Sequence, residues 1–117
     1  MRKAMIVAAM GLVIAGSNVQ AQTPLSAYVD GNGFIDVQKL MCAQLAGTFQ
    51  EDADMLSTWY SGWYNGLAKR HFFHLTRAKQ DEHEVIMTCK ANPNIRIIDA
   101  IAMVLKDERA RLGITLK

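Results

Sequence analysis

Three features of the 117-residue sequence predict an all-α fold: a small single-domain bundle of about four helices with one disulfide, following an N-terminal signal peptide. Apolar residues recur at helical steps of three and four, and no alternating strand pattern of useful length appears. A single cysteine, Cys42 or Cys89, stands on each side of the most aromatic stretch. The chain also begins with a basic, then apolar, then polar leader.

The leader comes first. Arg2 and Lys3 precede an uncharged apolar run, Ala4 to Gly16, and Ser17 to Ala21 offers the small residues a signal peptidase reads. Cleavage is expected after Ala21, making residues 1–21 a signal peptide. The apolar run is well short of the ~20 residues a membrane span needs, so no stable membrane anchor is expected after cleavage. Without Arg2 and Lys3, eleven basic residues face eleven acidic ones. That balance argues against a nucleic-acid partner, which calls for a basic patch. In full acid, the eleven basic residues and three histidines give +14, a large self-repulsion for a small domain.

Residues 22–35 carry Pro24, Gly31 and Gly33 without a helical period and are expected to be a flexible N-terminal segment. Asp30 to Asp36 (DGNGFID) looks like part of a calcium loop. Aligning Gly33 with the obligatory glycine puts Tyr28 at the first ligand position and Lys39 where a bidentate glutamate belongs. A lysine there repels the ion, so a glycine turn is the better account. The helical domain is expected over 36–117. Its first helix runs from Asp36, as N-cap, toward Phe49, with Cys42, Leu45, Ala46 and Phe49 inward and a stop near Ala46 because of Gly47.

The central helix holds both tryptophans. Met55, Leu56, Trp59, Tyr60, Trp63, Tyr64 and Leu67 fall on one wide apolar stripe. Glu51, Asp52 and Asp54 lead into it, favoured by the macrodipole while ionised. Gly62 and Gly66 weaken it by about 1 kcal/mol each relative to alanine and leave room for close approach of another helix. Lys69 to Lys79 (KRHFFHLTRAK) reads as an irregular basic loop with Phe72, Phe73 and Leu75 tucked under. His71, His74 and His83 lack the partners that complete a zinc site, so no metal or other cofactor is expected. Asp81 and Glu84 resemble a capping box opening a third helix, with Glu82 between them, and Asn92-Pro93 ends it. A fourth helix has Pro93 in its first turn, an inner stripe of Ile97, Ile98, Ile101, Val104, Leu105 and Leu112, an Asp107–Arg111 pair, and Gly113 as its stop.

Two cysteines in an exported chain read as one disulfide. It closes a loop of about 48 residues, which the chain-entropy model values at roughly 4 kcal/mol. On this reading the disulfide folds the flanking segments over the aromatic helix, and covering and uncovering that helix is the function.

Leu40-Met41-Cys42-Ala43-Gln44-Leu45, Trp59 to Gly66 (WYSGWYNG) and Thr88-Cys89-Lys90-Ala91-Asn92-Pro93-Asn94 together resemble the HdeA/HdeB family of periplasmic acid-stress chaperones. The resemblance covers roughly residues 36–106. It implies an all-α fold with a disulfide from the first helical segment to the third and a homodimer at neutral pH. It further implies a partly unfolded monomer that binds acid-denatured periplasmic proteins. Met55, Leu56, Trp59, Tyr60, Trp63 and Leu67 are the expected client-binding residues. Glu51, Asp52, Asp54, Asp81, Glu82 and Glu84 are the expected pH-sensing carboxylates: if folding lowers their pKa values, their stabilisation is lost as pH falls through the folded value. The competing class is a folded interaction or inhibitor module acting at neutral pH through a persistent apolar patch such as Phe72 and Phe73. No nucleophile–base motif or phosphate loop suggests an enzyme.

Overall fold

The computed structural model describes residues 21–113. The expected signal segment ahead of Ala21 lies outside the described residues. Four helices follow a short 3-10 turn at Leu25–Tyr28: α1 (Cys42–Ala46), α2 (Gln50–Leu67), α3 (Leu75–Ala91) and α4 (Ile97–Leu112). Among the described residues there is no strand, only an isolated bridge between Met41 and Arg96. The fold is all-α, with Cys42 joined to Cys89.

The first helix is much shorter than its periodicity suggests. Asp36 caps a turn instead: its Oδ1 accepts from the Gln38 N–H at 3.0 Å, and its carbonyl accepts from the Lys39 N–H at 3.0 Å. The chain then runs extended beside the loop after α3. The Cys42 and Ala43 N–H groups donate to the Ile95 and Pro93 carbonyls at 2.7 and 3.1 Å, and the Ile97 N–H donates to the Leu40 carbonyl at 2.9 Å. Those partners satisfy the backbone without a helix. The Gln44 side chain accepts from the Met41 N–H at 2.7 Å, closing the first turn of α1, and Gly47 ends it. Cys42 and Cys89 are fully buried, with their Cα atoms 4.5 Å apart, where the backbone stitch meets the end of α3.

Residues 22–35 meet the core at their near end. The Thr23 N–H donates to the Gly47 carbonyl at 3.0 Å, the Leu25 N–H to Asp52 Oδ2 at 2.9 Å, and Leu25 is buried. The glycine turn beyond it is an Asx turn: Asp30 Oδ1 accepts from the Asn32 and Phe34 N–H groups, and Gly33 takes φ 86°.

α2 starts at Gln50, so Glu51 and Asp52 lie in its first turn, where the macrodipole favours them. Only a narrow stripe of it is buried: Ala53, Leu56 and Tyr60. The Tyr60 hydroxyl donates to the Val37 carbonyl. A Cβ placed on Gly62 or Gly66 meets nothing within 4 Å, so the expected close helix contact at these glycines is absent among the described residues.

α3 begins at Leu75, earlier than the expected capping box. His74 is its N-cap, with Nδ1 accepting from the Arg77 N–H at 3.1 Å. Asp81 and Glu84 therefore lie inside the helix and cap nothing. The helix ends at Ala91, as Asn92-Pro93 requires. Pro93 belongs to the connecting turn, and α4 starts at Ile97. Its buried residues are Ile97, Ala100, Val104 and, unexpectedly, Glu108, while Leu112 is exposed. Arg111 pairs with Glu84 of α3 at 3.7 Å, where Asp107 was expected. Gly113, at φ 65°, ends the helix in the left-handed region.

Two outcomes follow. Replacing both cysteines by serine is expected to cost about 4 kcal/mol in urea denaturation monitored by circular dichroism. Gly62→Ala is expected to stabilise the chain by about 1 kcal/mol, since it adds helix propensity where there is open space. A destabilised Gly62→Ala chain would mean that face is covered.

Candidate functional site

The aromatic stripe is split between core and solvent. Leu56 and Tyr60 are buried, and Trp63 and Tyr64 are half-buried. Met55, Trp59 and Leu67 are 66%, 49% and 70% exposed. A seven-residue stripe is wider than the surface a neighbouring helix covers, so its flank remains open. Ring contacts run along the helix: Trp59 meets the edge of Tyr60 at 5.9 Å and tilts on Trp63 at 5.7 Å, and Trp63 meets Tyr64 at 5.3 Å. The six expected client-binding residues thus share one helix but not one state of exposure.

Behind α2 lies a cleft of about 760 Å³, bounded by the connector after α2 and by α3 and α4. Its floor is apolar, including Leu56, Tyr60, Val85, Ile97 and Val104. Phe72 and Phe73 line it but are 86% and 67% exposed, so they do not tuck under the helices as expected. Arg77, Asp81, Glu82 and Glu108 supply polar wall.

The six expected carboxylates divide. Glu51 is exposed, Asp52 ties down Leu25, and Glu84 pairs with Arg111. The other three form two contacts between acids. Asp81 hydrogen-bonds Glu108 across the α3–α4 interface, and Glu82 hydrogen-bonds Asp54 across α2–α3. Burial, then the hydrogen bond and negative charge of Glu108, push Asp81 up to about 7. Burial, then the hydrogen bond and charge of Asp54, push Glu82 up to about 7. Asp54 is held below its ordinary value because the Glu82 carboxyl, and then Gln50, donate to it. Glu108 also meets Arg77 at 3.4 Å. Only Asp54 of these three moves in the expected direction. Asp81 and Glu82 are partly buried and face another carboxyl rather than a helix N-terminus, which reverses the sign.

Glu108 was missed, although a charged residue on the Ile97–Ala100–Val104 stripe was visible in the sequence. Arg77 and the His74 cap carried no such signal, because the segment showed no helical period.

The sign sets a pH profile. Asp81 and Glu82, raised in the folded state, contribute stability that is full below their unfolded values and lost as pH rises through about 7. Asp54, lowered, contributes stability above its unfolded value that is lost as pH falls. Thermal melts are expected to show the highest Tm in mild acid, with a decline on both sides. Asp81→Asn with Glu82→Gln, whose amides donate without a titrating proton, is expected to flatten the neutral side. A wild-type Tm unchanged between mild acid and neutrality would contradict these contacts.

Among the described residues no helix is long and apolar enough to cross a membrane. Neither the curated proteins nor the solved structures return a match. A family model described as the HdeA/HdeB family matches residues 4–99, which span α1 to α3, both cysteines and the aromatic helix. The chain therefore belongs to the HdeA/HdeB family, a family of periplasmic acid-stress chaperones.

Proposed function

We propose that residues 1–21 direct export and are removed, and that the remaining chain is a periplasmic chaperone that holds acid-denatured envelope proteins. The observation that carries this reading is the divided face of α2, where Leu56 and Tyr60 are core while Met55, Trp59 and Leu67 are already exposed. Loosening α2 joins the two halves into one apolar surface large enough for an unfolded client.

Strong acid supplies the loosening. Protonation removes the Asp52 anion that holds Leu25, the Glu108 anion opposite Arg77 and the Glu84 anion opposite Arg111. It also converts the His74 cap from acceptor to donor. The basic side chains and histidines then repel one another and keep client complexes soluble. The disulfide persists, because exchange needs a thiolate that acid removes. At neutral pH the exposed side chains of α2, Met55, Trp59 and Leu67, suit a homodimer contact.

A second reading has its own observation. Phe72 and Phe73 form an exposed apolar pair in the folded chain, as a neutral-pH interaction module requires. Suppression of client aggregation by the oxidised protein, at about pH 2 and about pH 7, separates the two. Protection is expected only in acid, and equal protection at both would contradict the acid switch.

A further inference from the structure

The chaperone reading uses only the His74 cap and the Arg77 tie of the basic segment 69–79, yet eight of its eleven residues line the cleft. Its apolar members, Phe72, Phe73 and Leu75, line it together with the aliphatic side chains of α4, Ile101 and Leu105. Its polar members there include His74, Arg77 and Lys79. The volume, about 760 Å³, falls within the range of small-molecule sites, about 300–1,000 Å³.

The charges in the cleft are unequal in availability. Glu108 is 5% exposed and is engaged by Arg77 at 3.4 Å. Asp81 is hydrogen-bonded to Glu108 and Glu82 to Asp54, so the acidic wall is satisfied within the protein. Lys79 is exposed and makes no ion pair among the described residues. An apolar trough with an uncommitted cation at its edge is complementary to a long apolar chain ending in an anion.

We propose that the cleft between α2, α3 and α4 binds a single-chain amphiphile with an anionic head, a long-chain carboxylate, in the folded protein. The chain lies between Phe72, Phe73 and the aliphatic side of α4, covering the two exposed rings. The carboxylate sits against the basic groups of segment 69–79, with Lys79 contributing to the preference for an anion. This site works in the closed bundle, whereas client holding calls for the opened one.

Calorimetric titration of the full oxidised chain near neutrality tests it, with dodecanoate below its micelle concentration as the probe. Dodecyltrimethylammonium, with the same tail and opposite charge, is the comparison, and phosphatidylglycerol vesicles stand for a membrane surface. Dodecanoate is expected to bind saturably, one to one, and about tenfold more tightly than the cation. Lys79→Glu, an exposed change that leaves the core intact, is expected to remove most of that preference. Ile101→Trp, which fills the trough, is expected to abolish binding while circular dichroism reports a retained fold. The proposal is overturned by no saturable dodecanoate binding, by equal affinity for both head groups, by a Lys79→Glu chain with unchanged preference, or by binding to vesicles alone. Aggregation suppression is measured separately, so either result leaves the chaperone reading to its own test.

Discussion

One knot organises the molecule. Leu40 to Ala43 is held against Pro93 to Ile97 by backbone hydrogen bonds, and inside that contact Cys42 is bonded to Cys89. The start of α1, the end of α3 and the start of α4 all meet there. Each is short or turn-bound locally, and none could hold its place on helix propensity alone. The buried residues Leu45, Val85, Ile97 and Ala100 pack close to this contact in sequence. Helix α2 is attached less completely, through Ala53, Leu56, Tyr60 and a few polar ties. Stability is therefore concentrated at one end of the architecture and scarce along the aromatic helix, an uneven distribution of the kind that permits partial opening.

The electrostatics run in two directions. Ion pairs such as Arg77–Glu108 and Arg111–Glu84 tie α3 to α4 while their carboxylates are ionised. The carboxyl–carboxyl contacts Asp81–Glu108 and Glu82–Asp54 need a proton to be attractive. A moderate fall in pH strengthens the second kind before a larger fall removes the first. The bundle thus has a mildly acidic range in which both kinds of tie are satisfied, bounded by strong acid on one side and by neutrality on the other.

Legibility in the sequence followed the physics of each segment. The disulfide, the Asn92-Pro93 corner, the Gly113 stop and the aromatic helix were readable because each depends on local chemistry or strict periodicity. The first helix was overread from Asp36, because helical spacing cannot reveal that backbone partners at 93–97 will take over Leu40 to Ala43. The opening of α3 was misplaced because His74, a less common cap, precedes a basic stretch without clear period, while Asp81 and Glu84 imitate a capping box. Carboxylates at expected helix starts suggested lowered pKa values. Their direction depended on how far each is buried and on which acid each faces across the bundle, and only tertiary structure supplies that.

The covalent link between Cys42 and Cys89 turns the intervening chain into a ring that carries all of α2 and the connector bearing Phe72 and Phe73. Helix α4 lies outside that ring. When α2 swings away it remains tethered at both ends, so its return is a unimolecular search whose rate does not depend on dilution. The covalent link therefore keeps the aromatic helix within a bounded distance of its seat while it is open.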